Sequence, residues 1–243
     1  MIVYGGHAAF EALRAGRATR LSLVSRPGAA PNRRMADLVA EAKRAGVPVD
    51  TISEEQASRL SSGRPHQGVI AEVQAPDDWT PADLVAAAST PALLVVLDGI
   101  EDPHNVGAIL RTVDAAGADG VVRQSRHAAP LGGATAKASA GAVAHVKVAD
   151  VVNIARALEA LKEAGVWTVG LAGDAAKRYD QIDYRVPTAL VVGAEGTGLR
   201  RLVRERCDWL VSIPMSGHVQ SLNVSVATGI VLFEAVRQRR PNG

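Results

Sequence analysis

One cysteine, Cys207, in 243 residues excludes an internal disulfide and any thiolate cluster. The six histidines are scattered, with no His-x-x-x-His pair, so no metal site is expected. No apolar run approaches the ~20 residues that a membrane span requires. The start, MIVYGGHAAFEALRAGR, lacks the apolar core and small-residue cleavage site of a signal peptide. A cytoplasmic protein without metal or membrane partner is expected. Charge of one sign is scarce in excess: the net value of +2 is too small to bind polyanions by charge alone. Arginine outnumbers lysine, which fits phosphate recognition and a GC-rich genome equally well.

What is present is ordinary for a packed chain, with 47% hydrophobic and 21% charged residues. The length suits one domain of about 150 residues with a smaller companion. Two stretches are rich in loop signals, SSGRPHQG (61–68) and APDDWTPADLVAAASTP (75–91). Proline removes a backbone donor, so the second stretch is expected to be a linker at 75–91. Before it, residues 1–74 form a compact α/β module. LSLVS (21–25), VPVDTI (47–52) and GVIAEV (68–73) read as strands, and 32–46 as a helix ended by glycine. Ser53 with Gln56 makes a capping box for a short helix. Basic side chains outnumber acidic ones here. Tyr4 and Phe10 are its only aromatics, which argues against a base-stacking sheet and leaves either phosphate contacts or a packing role.

Residues 92–243 read as a second domain. Near-continuous apolar strands, ALLVVLD (92–98), GVVR (120–123), HVKV (145–148), VWTVGL (166–171), ALVVG (189–193) and WLVSIP (209–214), alternate with helical segments. Strands without period-2 alternation are buried on both faces, which predicts a parallel-sheet α/β sandwich.

Three clusters in this domain could carry chemistry. In DGIEDPHNVGAILRTVDAAG (98–117), Asn105 is a candidate helix cap, and Val106, Ile109, Leu110 and Val113 make a buried stripe. Arg111 lies beside that stripe, where it could edge a site or face solvent. Gly107 in the first turn suggests close approach by a backbone or ligand. In LVVGAEGTGLRRLVRERCD (190–208), Gly193, Gly196 and Gly198 flank Glu195 where a strand turns toward a helix. The spacing is not the dinucleotide fingerprint, and no Gly-Lys-Ser/Thr loop occurs, so nicotinamide and ATP are poorly supported. Arg200, Arg201, Arg204 and Arg206 could hold phosphates or form a solvated face. In IPMSGHVQSLNVSVATGIVLFEAVRQRR (213–240), Ser221, Asn223 and Ser225 stand at the start of a helix apolar nearly all round through Phe233. Such a helix is buried in a core or an interface. Ser221 has no hydrolase elbow around it.

In this order and spacing the clusters resemble the three motifs of the SpoU (TrmH) family of RNA ribose methyltransferases, within the SPOUT superfamily. Asn105, Gly107 and Arg111 match N-x-G-x-x-x-R, followed by GAEGTGL from Gly193 and the long third string. The likeness covers 92–240. The first domain, with VYGGHAAFEAL and HQGVIAEV, is similar to the ribosomal-protein-like substrate domain of the branch that methylates 23S rRNA guanosine. The resemblance implies S-adenosylmethionine as methyl donor, a deep trefoil knot toward the carboxyl terminus, and a homodimer whose active site draws on both chains. It implies cofactor contacts at Leu171, Gly173, Gly193, Gly198, Ile213, Met215 and Leu222, and catalytic or orienting roles for Asn105, Arg111, Glu195, Ser221 and Asn223. The family often assigns the arginine as general base. A charged guanidinium has no acceptor and a pKa above ~12, so phosphate binding and alkoxide stabilisation suit Arg111 better. His104 and His218 are read as polar loop residues. The partner expected is RNA, foremost 23S rRNA at a guanosine near the peptidyl-transferase centre. Alternatives are a tRNA or resistance-type rRNA adenosine 2′-O-methyltransferase, or a non-catalytic ribosome-assembly factor.

Overall fold

A computed structural model describes residues 1–25, 33–74 and 77–240. In chain order the elements are β1 (Ile2–Tyr4), α1 (Gly6–Arg14), β2 (Ala18–Val24), α2 (Arg33–Arg44), β3 (Val49–Ile52), α3 (Glu54–Leu60), β4 (Val69–Val73), α4 (Pro81–Ala86), β5 (Leu93–Asp98) and α5 (Pro103–Ala116). There follow β6 (Gly120–Gln124), α6 (Gly133–Ala138), β7 (Val148–Val151), α7 (Ile154–Glu163), β8 (Trp167–Leu171), β9 (Lys177–Arg178), β10 (Thr188–Gly193), α8 (Arg201–Arg206), β11 (Trp209–Ser212) and α9 (Val224–Arg239). The chain divides into two compact units, Met1–Pro76 with Pro130–His145, and Asp77–Ala129 with Val146–Gly243.

In the first unit, four strands form a mixed sheet of order β1-β4-β2-β3, parallel only between β2 and β3. The capping box expected at α3 is present: Gln56 N–H donates to Ser53 Oγ at 3.2 Å and Ser53 N–H to Gln56 Oε1 at 2.9 Å. The helix start expected at Asn32 and the linker residues Ala75 and Pro76 lie outside the described residues. Residues 130–145, read from sequence as part of the second domain, group with this unit instead. Gly141 has φ +93°, and a Cβ there would run into the Glu11 side chain. His145 Nε2 lies 3.1 Å from Glu11 Oε2. The strand expected at 145–148 accordingly begins only at Val148.

In the second unit, seven strands form a wholly parallel sheet of order β7-β6-β5-β10-β8-β11-β9. Every residue of β5 is buried, as an unbroken apolar strand requires. Leu84 of α4, Leu158 and Leu161 of α7 and Val203 of α8 pack with Leu94, Val96 and Val191 in one core layer. Val95, Leu97 and Val192 point the other way, and α5 and α9 pack together. The expected linker is therefore only partly a loop. Thr80 caps α4 with Pro81 at its first position, Asp83 completes a capping box, and Leu84 is fully buried.

The end of α9 is fastened by Arg239. Its guanidinium donates to the carbonyls of Tyr184 (2.7 Å), Pro91 (2.5 Å), Ala92 (2.9 Å) and Val186 (2.8 Å). Arg239→Ala leaves those carbonyls short of donors, and a loss of about 2–3 kcal/mol in urea unfolding is expected. Cys207 lies against Gly170, its thiol donating to the Val203 carbonyl at 3.3 Å. Burial pushes this thiol up to about 12. Iodoacetamide at pH 8 should consequently label the native protein far more slowly than the urea-unfolded chain, as read by intact mass.

Candidate active site

In a parallel sheet all carboxyl ends share one edge, and ligands gather where neighbouring connections diverge. Here β6 and β7 lie to one side of β5, and β10 and β8 to the other. At that edge the segments after β8, β10 and β11 wall a cavity of about 840 Å³. Leu171, Gly173, Gly193, Gly198, Ile213, Met215 and Leu222 all line it, as do Glu195, Ser221 and Asn223. Asn105 and Arg111 do not.

The wall is shaped by backbone. Gly198 N–H donates to the Ala194 carbonyl at 2.9 Å, and Gly196 and Gly198 take φ of +79° and +68°. A side chain at Gly193 would collide with the backbone of Gly198 and Leu199. Gly193 thus serves the folding-back of its own loop, whereas Gly173 and Gly196 have open space where a Cβ would stand. Asp98, which ends β5 level with Gly193, is wholly buried. It accepts from Arg200 N–H at 2.8 Å and from Arg200 Nε at 2.6 Å, securing the loop's far end. The sequence alone gives Asp98 no role beyond a carboxylate that closes an apolar strand.

Asn223 joins the three motifs. Its Nδ2 donates to Asn105 Oδ1 at 2.9 Å and to Glu195 Oε1 at 2.6 Å. Its Oδ1 accepts from Ser225 N–H at 2.9 Å and caps α9. Both amide protons and the carbonyl oxygen are engaged, which fixes the orientation of the side chain and of Glu195 with it. Asn105 is not the cap of α5, contrary to expectation. Asp102 caps it, accepting from His104 N–H at 2.9 Å, with Pro103 at the first helical position. Asn105 sits instead inside the first turn, 7% exposed, with its amide turned to Asn223.

The other expectations divide. Val106, Ile109, Leu110 and Val113 are buried as the stripe required. Arg111 is exposed on α5, without a hydrogen bond or ion pair to any described residue. His104 lies in α5 rather than a loop; His218 is on the cavity's exposed segment. The arginines 200–206 do not form a free phosphate-binding face. Arg200 pairs with Asp98, Arg201 with Glu205 (2.8 Å), Arg204 with Asp174 (2.8 Å) and Arg206 with Glu159. The final helix is buried through Val224, Val231, Leu232 and Ala235, yet Val226 and Phe233 are 50% and 45% exposed. No group of three His, Cys, Asp or Glu among the described residues could hold a metal ion. No helix among them is long and apolar enough to cross a membrane.

Residues 92–233 match the model of the SpoU rRNA methylase family. Residues 2–79 match that of the RNA 2′-O ribose methyltransferase substrate-binding family. The chain belongs to the SpoU family. This SpoU protein is 43% identical to the 23S rRNA (guanosine-2′-O-)-methyltransferase RlmB of Pseudomonas putida, over 98% of its length and 96% of the relative's. It is 43% identical to a TrmH-family tRNA/rRNA methyltransferase, YacO, of Bacillus subtilis, over 83% and 82% of the two chains. Among solved structures it is similar to the SpoU methyltransferase AviRb from Streptomyces viridochromogenes in complex with AdoMet. The TM-score is 0.79 at 27% identity, covering 98% of this chain and 90% of the other.

The two kinds of glycine in the SpoU wall should behave differently on substitution. Gly193→Ala is expected to lower the unfolding free energy by about 1–3 kcal/mol, because backbone must shift. Gly173→Ala should stay within about 0.5 kcal/mol of the parent. Urea titration of both variants checks the contrast.

Proposed function

We propose that this protein transfers a methyl group from S-adenosylmethionine to a ribose 2′-hydroxyl of RNA, and that its target is a guanosine of 23S rRNA near the peptidyl-transferase centre. The observation that carries the reading is the hydrogen-bonded set Asn105–Asn223–Glu195 beside a glycine-walled cavity. The RlmB relative covers both units of the chain.

The cavity fits the donor. Its volume is within the range of cofactor sites. Leu171, Ile213, Met215 and Leu222 offer apolar surface for an adenine and a thioether, and the vacant Cβ positions at Gly173 and Gly196 let a ligand lie against backbone. Bound S-adenosylmethionine supplies an electrophilic methyl carbon. The chain's residues must then place the 2′-oxygen in line and ease its deprotonation. Asn223 fixes Glu195 through Oε1, and the second carboxylate oxygen would serve the ribose. Ser221, exposed on the cavity segment, assists in orienting the sugar.

Arg111 holds the adjacent phosphate and stabilises developing alkoxide charge. It does not line the cavity of its own chain. We therefore infer a homodimer in which Arg111 of one protomer serves the cavity of the other, with Val226 and Phe233 of α9 in the contact. We also infer a trefoil knot. In its support, β10 enters the sheet between β5 and β8, and β11 between β8 and β9, all three of these neighbours preceding them in the chain.

The test is transfer of labelled methyl groups to separately purified 23S rRNA, 16S rRNA and tRNA. Label is expected in 23S rRNA; label in none would refute the enzyme reading, and label in tRNA alone would refute the substrate. Arg111→Ala should reduce transfer at least ~100-fold while cofactor affinity by calorimetry stays within a few-fold. Loss of cofactor binding would overturn the role given to Arg111.

A further inference from the structure

Most arginines of the second unit already have carboxylate partners: Arg123 with Asp150, Arg178 with Asp180, Arg185 with Asp183, Arg237 with Glu234, and the four of residues 200–206. Two that do not are Arg126 and Arg156. Both are exposed, and neither side chain has a hydrogen bond or ion pair to a described residue. They follow adjacent strands on the edge that carries the cavity.

The register places them. Gly193 of β10 is level with Asp98 of β5, and Leu97 of β5 with Arg123 of β6. Gln124 of β6 is in turn level with Val151 of β7. Successive strands are about 4.8 Å apart, so the segment with Arg126 leaves the sheet about 10 Å from the segment with Glu195, and that leading to Arg156 about 5 Å further. The order along the edge is Glu195, Asn105, Arg126, Arg156.

The segment bearing Arg126 is held rigidly. Arg123, 9% exposed, donates through Nε to Asp150 Oδ1 at 2.7 Å and through a terminal nitrogen to the Ala129 carbonyl at 2.5 Å. Gln124, also 9% exposed, donates to the His127 carbonyl at 3.3 Å, and Ser125 N–H to the Val151 carbonyl at 2.8 Å. His127 takes φ +52°, a turn that lets the segment double back to these anchors. Two buried polar side chains thus brace a short loop from below while its tip offers an unpaired guanidinium. The nearby carboxylates Asp102 and Asp150 are engaged as helix cap and as partner of Arg123. Glu101 is exposed after β5.

We propose that Arg126 and Arg156 form a phosphate track that carries the RNA strand away from the target ribose across the exits of β6 and β7. The proposal rests on the methyltransferase reading for its substrate. The track is a positioning device: it binds the backbone, leaves base choice alone, and touches neither cofactor nor reacting atoms.

The experiment compares the full-length parent with an Arg126→Ala/Arg156→Ala variant and an Arg126→Lys/Arg156→Lys variant, on 23S rRNA transcribed in vitro. Methyl transfer gives kcat and KM, filter retention across a salt series gives RNA affinity, and calorimetry gives cofactor affinity. For the alanine pair, KM should rise about tenfold with kcat within twofold and cofactor affinity unchanged, and the log–log salt slope should fall by about 2. The lysine pair should restore the slope. Parental KM and slope in the alanine pair would overturn the track, and so would a fall in kcat at parental KM. A parent that binds this RNA but methylates none refutes the methyltransferase reading alone, and the salt slopes still decide the track.

Discussion

Asp98 stands at the carboxyl end of β5 with no access to water. A carboxylate so placed must be neutralised and hydrogen-bonded or it costs several kcal/mol. Arg200 meets that demand with both its backbone N–H and its guanidinium. The return of the 193–200 loop to the end of β5 is thereby set by electrostatics. Gly193 sets the same loop sterically, through the nearness of Gly198. With the loop pinned at both ends, Glu195 can stand only where Asn223 reaches it, and Asn223 only where Asn105 does. Much of the site is therefore a consequence of one buried carboxylate with its arginine and one missing side chain.

Polarity in the second unit is used largely to hold backbone. Arg239 closes four carbonyls at the foot of α9, Arg123 braces the segment after β6, and Asp208 accepts from Thr168 N–H at 2.9 Å and from its hydroxyl at 2.7 Å. Lys162 lies 2.8 Å from the same carboxylate, whose own affinity for a proton is held below the usual range by these partners against the opposing effect of burial. Connections that would otherwise be loose become parts of fixed geometry, as a site built from loop ends requires.

The parallel sheet was legible because its strands are apolar without alternation, and once it is parallel, residues as distant as Leu171, Gly193 and Ile213 must emerge on one edge. The grouping of cavity residues followed from that together with the motif likeness. Local signals failed where two competed. Asn105 looked like a cap, but Asp102 followed by Pro103 is the stronger start signal, and the freed asparagine turned inward. The prolines of 75–91 read as breakers, though Thr80-Pro81 with Asp83 opens a helix. Long-range pairing left no local mark at all. The stretch 130–145 is made of small residues without clear period, and contacts distant in sequence, such as Gly141 and His145 against Glu11, assign it to the first unit.

The late insertion of β10 has a bearing on how the chain is made. Until residues 188–193 have left the ribosome, β5 and β8 each expose a full row of unpaired amide groups on the side β10 will fill. A product of premature termination upstream of that strand would lack the middle of its sheet rather than its margin. It would have two adhesive edges and no means of closing them, so such fragments should meet the cell's proteases and chaperones as tangles, never as smaller working domains.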